Sequence, residues 1–397
     1  MPFVDHSRPS IDDAQIRISY HDPVTLARGH VVIDSLSNPS YAGVRIQKNL
    51  RPEILMTLAR QRTLRYHLAR VELVGAQIGL EYDPNAPDCP AVLGRFLSAL
   101  RPFLETGMSL GPDVNVDHDM LTRVLESERL PPRMSSIQSK QGWPSERWDL
   151  YQAILASQVA PFGVIKEIQT AYSVADAAHS VGFQLFQREL SVAVLGAGPY
   201  GRRIASYLDL RGTRVVAIGD SVAALYNKNG LLRDVLDADN LVDADSRSAL
   251  YITGDEFLGL PVDVLITASA EDVIEIQNVG RLRCGLVVEA ATHAVTSDAE
   301  TVLTARGIPV LPSFAATVGP VFLTDGVLRG EVTTEQAALD YLTRNVRMVT
   351  NELVRLSMSL HLSLREASLR IAFHHHVEKH PLRKFSERIR AVSGVDE

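Results

Sequence analysis

Short apolar runs recur along the second half of the chain. Ser191–Leu195, Arg214–Ile218, Val262–Thr267, Leu286–Glu289 and Ile308–Leu311 lack polar alternation, the pattern of parallel strands buried on both faces. Helical spacing lies between some of them, at Tyr200–Leu210 and Asp298–Ala305, so this region predicts a doubly wound α/β domain. The first half is less regular. Its first 25 or so residues read as a polar, irregular arm, and Gly29–Asp34 predicts a strand. A helix is expected from Pro52 to about Arg65, with Ile54, Leu55, Leu58 and Leu68 near helical spacing. Another starts after Asp88, with Leu93, Phe96, Leu97 and Leu100 on one face. Prolines, serines, Gly142 and Trp143 between Leu130 and Glu146 suit a connection between domains. Thr333 to about Lys379 reads as mostly helical, with an N-cap at Thr333 or Thr334 and Pro381 beyond the end.

Composition narrows the function classes. The 397 residues are 46% hydrophobic and 22% charged, with net charge −7 and two cysteines. That length suits two separately cored domains. The negative charge argues against a nucleic-acid partner, and Cys89 with Cys284 cannot build a disulfide framework or a four-ligand zinc site. No signal-like start and no uncharged apolar run of about 18 residues is found. The expectation is a cytoplasmic protein with no membrane partner.

Ser191–Leu195 runs directly into Gly196-Ala197-Gly198-Pro199-Tyr200-Gly201 and a helix. In such a GxGxxG loop, Gly196 permits the tight turn and Gly198 lets backbone approach a pyrophosphate. Gly201 allows close helix–strand packing, and the helix N-terminus favours the anion. Asp220 ends the next strand, nineteen residues after Gly201. A carboxylate there accepts ribose hydroxyls and repels a 2′-phosphate, so the cofactor expected is NAD rather than NADP.

Several separate segments, in order, then resemble one family. Asp220-Ser221 with Ala224–Leu231 resembles the segment after the second Rossmann strand of the glutamate, leucine, phenylalanine and valine dehydrogenases. Thr170–Val174 resembles the TAYGV run, Val287–Ala291 the VVEGAN stretch, and Pro312–Gly319 the PDILANAGG stretch. In the first half, Tyr41–Arg45 is similar to LGGTRM and Gly111–Asn115 to PDVN. The resemblance spans roughly Ala27 to Asn345 and lies nearest the leucine, valine and phenylalanine branch.

What the resemblance implies is a two-domain α/β protein. Residues 1–150 would form an α/β substrate-binding and oligomerisation domain, with Gly43 at the substrate. Residues 151–335 would form the Rossmann domain, and residues 336–397 C-terminal helices packing back on the first. Thr170, Ala268, Thr292 and Thr317 join the glycine loop as cofactor contacts. The family uses two lysines twelve residues apart, one for the substrate α-carboxylate and one to activate water, together with a proton-shuttling aspartate. Here Thr63-Leu64-Arg65 aligns with TYK and Gly75-Ala76-Gln77 with GGK, without a gap. Both lysines are replaced. Arg65 can bind a carboxylate but cannot transfer protons near neutrality, and Gln77 cannot act as a base. Asp113 alone remains of the catalytic set, unless it is simply a turn residue after Gly111-Pro112.

Two readings follow from this. One is an NAD-dependent oxidoreductase acting at the α C–N bond of an amino or imino acid, with altered acid–base residues, including reduction of an imine supplied ready-made. The other is a catalytically silent NAD-binding sensor or scaffold. A small amino, imino or 2-oxo acid partner and a homo-oligomer are expected with the first. In the cluster His374, His375, His376 and His380, His376 and His380 lie four apart with ligand-like spacing, but no third ligand is identifiable, so a solvated or subunit-contact face is expected and no metal.

Overall fold

The computed structural model describes residues 15–35, 39–134, 146, 163–220, 222–237 and 249–379. The chain divides into two compact units. One comprises residues 1–160, 327–330 and 372–397, and the other residues 161–326 and 331–371.

The first unit is built on a five-stranded sheet of order β1-β2-β4-β3-β5. Its strands are β1 (Ile16–His21), β2 (Arg28–Ile33), β3 (Ser40–Ile46), β4 (Val74–Glu81) and β5 (Met108–Pro112). β3 pairs in parallel with both β4 and β5, whereas β1–β2 and β2–β4 are antiparallel. β1 corrects the expectation of an irregular arm through residue 25. Ile16, Ile18 and Tyr20 are half-buried while Arg17, Ser19 and His21 are exposed, so an edge strand forms on one modest apolar face. Helix α1 (Pro52–Leu68) starts with the expected proline and runs three residues beyond Arg65. Helices α2 (Cys89–Ala99) and α3 (His118–Ser127) close a core containing Val44, Ile78, Phe96, Leu97 and Leu121.

The second unit holds a seven-stranded sheet of order β12-β11-β10-β6-β7-β8-β9. Five strands are parallel: β6 (Ser191–Leu195), β7 (Arg214–Gly219), β10 (Val264–Thr267), β11 (Leu286–Glu289) and β12 (Val310–Leu311). Each matches one of the apolar runs read from the sequence. β8 (Ala223–Tyr226) and β9 (Leu250–Thr253) extend the sheet antiparallel beyond β7. Around the sheet are α4 (Gly163–Phe186), α5 (Pro199–Leu210), α6 (Ser297–Ala305) and α7 (Glu335–Leu360), while α8 (Leu364–Lys379) belongs to this unit only as far as residue 371. Thr334 caps α7, its side chain accepting from Ala337 N.

The C-terminal helices, residues 336–397, were expected on the first domain; residues 372–397 group with the first unit, and α7 does not. It lies in the second unit, where Tyr172 Oη meets Thr343 Oγ1 at 2.7 Å and Ser180 Oγ meets Thr350 Oγ1 at 3.0 Å. Arg347 and Arg211 both pair with the buried Asp176 of α4. The physical reason is a buried stripe on α7, including Ala338, Leu342, Val346 and Leu353. It sits beside a helix rich in small buried residues, Ala171, Ala175 and Ala178. No helix among the described residues is long and apolar enough to cross a membrane. Most of the expected connection, residues 135–145, lies outside the described residues, as do the side chains of His374–His376 and all of His380.

Candidate active site

The register of the first sheet places the sequence-predicted residues on one face. Gly43 stands opposite Gln77 on one side and Gly111 on the other. With a two-residue period, Tyr41, Gly43, Arg45, Gln77, Gly111 and Asp113 share that face. α1 covers it so closely that a Cβ on Gly75 would lie 1.9 Å from Ala59 O. Thr63 pins the two elements, accepting from Gly75 N at 2.8 Å.

Asp113 is the centre of this cluster. Its Oδ2 accepts from Gln77 Nε2 at 2.5 Å and from Arg45 Nε at 3.0 Å, with Arg45 Nη2 also at 3.0 Å. Its Oδ1 accepts from Val114 N at 2.9 Å. Turn-former and site residue are therefore the same carboxylate, still 22% exposed while the Arg45 side chain is 9% exposed. Gln77 is wholly buried, and its Oε1 has no hydrogen-bond partner among the described residues.

Arg62 and Arg65, one turn apart on α1, differ in what they meet. Arg65 is half-buried near the end of α1. The nearest cation over Gly43 is Arg62, one turn earlier. A Cβ on Gly43 would lie 2.7 Å from Arg62 Nη2, 2.8 Å from Gln77 Oε1 and 3.0 Å from Arg62 Nη1. Arg62 donates two long bonds, to Ala76 O at 3.3 Å and Tyr41 O at 3.4 Å, and lies over the Tyr41 ring. Burial pushes the Tyr41 hydroxyl's pKa up, with the positive charges of Arg62 and Arg133 pulling the other way. Asp113 thus sits among an amide, two guanidiniums and a phenol held protonated. None of these neighbours is a base near neutrality.

In the second unit the glycine loop lies at the C-terminal edge of β6, between β7 and β10, where the order of strands across the sheet reverses. Gly196 has φ +132°, and a Cβ there would lie 2.7 Å from the Ala268 carbonyl carbon. A Cβ on Gly201 would lie 1.8 Å from Gly196 O, whereas nothing stands within 4 Å of one on Gly198. Gly198 also begins α5 without a side-chain cap, and Pro199 follows it. The loop therefore offers uncapped helix-start amides beside an open backbone, which fits a dinucleotide pyrophosphate.

Asp220 stands exposed after β7. Its Oδ1 accepts from Val222 N at 2.8 Å and Ala223 N at 3.0 Å. Tyr200 Oη donates to Ala290 O at 3.3 Å, joining the start of α5 to the loop after β11. Thr170, Ala268 and Thr292 are half-buried. Thr317 is buried and donates its hydroxyl hydrogen to Ser313 O at 2.6 Å, so that proton holds the local helix. Behind the loop, buried Glu289 accepts from Val295 N, Ser313 N and Arg365 Nη2. Arg365 also reaches Glu300.

The sequence reading missed Arg45, Arg62 and Tyr41. For Arg45 and Tyr41 the signal was present, since each lies two residues from Gly43 on one strand. No group of metal-ligating side chains is found among the described residues.

Comparison with known proteins places these features in a family. The chain is 26% identical over 308 residues to glutamate dehydrogenase A2 of Halobacterium salinarum, covering 73% of this chain and 69% of that one. The glutamate dehydrogenase of Peptoniphilus asaccharolyticus has a similar fold, with TM-score 0.70 at 19% identity over 92% of this chain and 91% of that one. So has the hetero-hexameric glutamate dehydrogenase of Thermus thermophilus, with TM-score 0.67 at 20% identity over 93% and 90%. The family profile described as Glutamate/Leucine/Phenylalanine/Valine dehydrogenase matches residues 165–383, and the chain belongs to that family.

Proposed function

We propose that this protein is an NAD-dependent oxidoreductase that transfers hydride at the α C–N carbon of an amino or imino acid, without the hydrolytic half of oxidative deamination. The carrying observation is the hydrogen bond that Gln77 donates to Asp113, Gln77 being the residue that the sequence resemblance aligns with the family's water-activating lysine. An amide cannot take a proton from water at neutral pH.

Gly196, Gly198, Gly201 and the helix start beyond them would hold the cofactor's pyrophosphate, and Asp220 its adenosine ribose. When bound, NADH supplies the hydride. Reduction of an imine also needs a proton at nitrogen, forming the iminium that accepts the hydride, and Asp113 is the partly exposed carboxylate available to relay it. Arg45 and Gln77 hold that carboxylate in place, and Arg62 offers a charged donor to a substrate carboxylate.

The relatives named above act on glutamate, and one of them is described as a hexamer. A homo-oligomer in the cytoplasm is part of the present reading, and a single-subunit mass by light scattering at micromolar concentration would contradict the oligomer. The test of function is NADH oxidation across cyclic imino acids and 2-oxo acids with amines, repeated with Asp113→Asn. Turnover that falls at least about 10²-fold in the variant supports the enzyme. Measurable NADH binding with no turnover on any imine supports the silent NAD-binding reading instead.

A further inference from the structure

Three polar atoms converge over Gly43, and two of them lack hydrogen-bond partners among the described residues. Asp113 Oδ2 only accepts in the hydrogen bond with Gln77, which fixes the amide with Nε2 toward the carboxylate and Oε1 away from it. Oε1 is therefore an acceptor, buried and without a partner among the described residues. A buried acceptor left unsatisfied is unfavourable and marks a place where a donor is missing. Beside it, Arg62 Nη2 has no hydrogen-bond acceptor among the described residues, and Nη1 makes only the two long bonds. The same small space holds an unmet acceptor and a guanidinium with unmet donors. The atoms meet there because residue 43 has no side chain: a Cβ would lie 2.7 Å from Arg62 Nη2 and 2.8 Å from Gln77 Oε1, so a ligand group enters where Arg62 gives way.

We infer that Arg62 and Gln77 form a specificity-determining pair. Arg62 receives the substrate carboxylate, and Gln77 Oε1 accepts a hydrogen bond from an N–H on the neighbouring carbon. The inference rests on the reading of chemistry at an α C–N bond, and it names the substrate class. That class is an α-imino acid in its protonated, N–H-bearing form, and the corresponding primary or secondary amino acid. A 2-oxo acid is rejected, because its ketone oxygen would set lone pairs against Oε1. Arg62 is half-buried and loosely bonded, so its guanidinium is the part that shifts as the carboxylate enters. The replaced lysine thereby leaves a donor-selecting group in its place.

The experiment measures binding and needs no turnover. L-proline and tetrahydrofuran-2-carboxylate have the same ring and carboxylate but differ in N–H against ether oxygen. Sarcosine and methoxyacetate form a smaller pair with the same difference. The full-length protein saturated with NADH is titrated with each by ligand-observed NMR. The N–H member of each pair is expected to bind about 10- to 100-fold more tightly, the range for leaving a buried polar group unpaired. Gln77→Leu should erase that preference. Arg62→Met should weaken both members of a pair by a similar factor, with Arg62→Lys restoring part of the loss. Thermal melts identify any variant that fails to fold, and the wild-type comparison stands without variants. Equal affinities within each pair, or no binding of either member, would overturn the inference. So would a preference that survives Gln77→Leu, which would assign the N–H to Asp113. Failure of the broader reading appears separately, as absent NADH oxidation despite selective binding.

Discussion

Two glycines in one loop give a paired prediction that separates packing from ligand approach. At Gly201 an added Cβ would lie 1.8 Å from Gly196 O, against the 3.4 Å where ordinary contact begins. The start of α5 must then retreat by about 1.5 Å to restore van der Waals separation. Overpacking of this kind costs about 1–3 kcal/mol of stability. A helix start displaced by about that much also loses its aim at the pyrophosphate, a change worth about 10²-fold. Gly198 is the opposite case, with nothing within 4 Å of an added Cβ. Its φ of −70° and ψ of 175° are open to alanine. Gly198→Ala should therefore leave stability unchanged or raise it by about 0.4–1 kcal/mol. Its methyl nevertheless fills the space through which backbone meets the phosphates, so NADH affinity should fall about 10- to 100-fold, or about 1.4–2.8 kcal/mol. Thermal melts without cofactor and calorimetric NADH titration, run on both variants, give the two readouts. If Gly198→Ala binds NADH like the wild type, the pyrophosphate does not cross this loop and the cofactor assignment fails. If Gly201→Ala melts like the wild type, the close approach to Gly196 is not a packing constraint.

Three other perturbations probe separate parts of the account. Asp220→Asn keeps an acceptor for Val222 N and Ala223 N but removes the charge, so the preference for NAD over NADP should shrink by about 1–3 kcal/mol in paired calorimetric titrations; an unchanged preference would take Asp220 off the ribose. Arg365→Met strips buried Glu289 of its cationic partner, and a loss of about 3–5 kcal/mol is expected in urea unfolding; a change under about 1 kcal/mol would show that Val295 N and Ser313 N satisfy that carboxylate alone. Hydrogen bonding from Arg95 holds Asp22 well below the usual carboxylate range, so it stabilises the fold above the unfolded-state pKa near 4, and the contribution fades as pH falls below that toward the folded value. The stability gap between wild type and Asp22→Asn should accordingly narrow below about pH 4, and a gap independent of pH from 3 to 7 would refute the assignment.

How much of this was legible in the sequence follows from local physics. The parallel strands of the second unit are buried on both faces, so their apolar runs announce them without any partner. Gly196 to Gly201 was equally readable, because each glycine answers a local steric demand. β1 was not, since an edge strand needs only the half-buried Ile16, Ile18 and Tyr20 on one face. β4 and β5 carry Gly75, Gly79 and Gly111 where α1, Leu50 and Tyr41 press close, and glycine lowers the strand signal the packing requires. Arg62 lay hidden among Glu53, Arg60, Arg65 and Arg70. Which of these charges faces the site depends on how α1 rotates over β4, and the pitch of Ala59 against Gly75 decides that. Gln77 and Asp113 were found through resemblance, but the bond between them comes only from the register of β3 with its two neighbours.

The central claim is that hydride transfer is retained while activation of water is lost at Gln77. The most direct measurement is a ratio of kcat/KM values on one preparation. NADH-dependent reduction of a preformed cyclic imino acid is set against NAD-dependent, ammonia-releasing oxidation of the family's amino acids. Loss of a near-neutral base lowers the second by about 10²–10⁴-fold, so imine reduction should exceed deamination by at least about 10²-fold. Deamination at a rate comparable to imine reduction would contradict the claim and require a water-activating group other than Gln77.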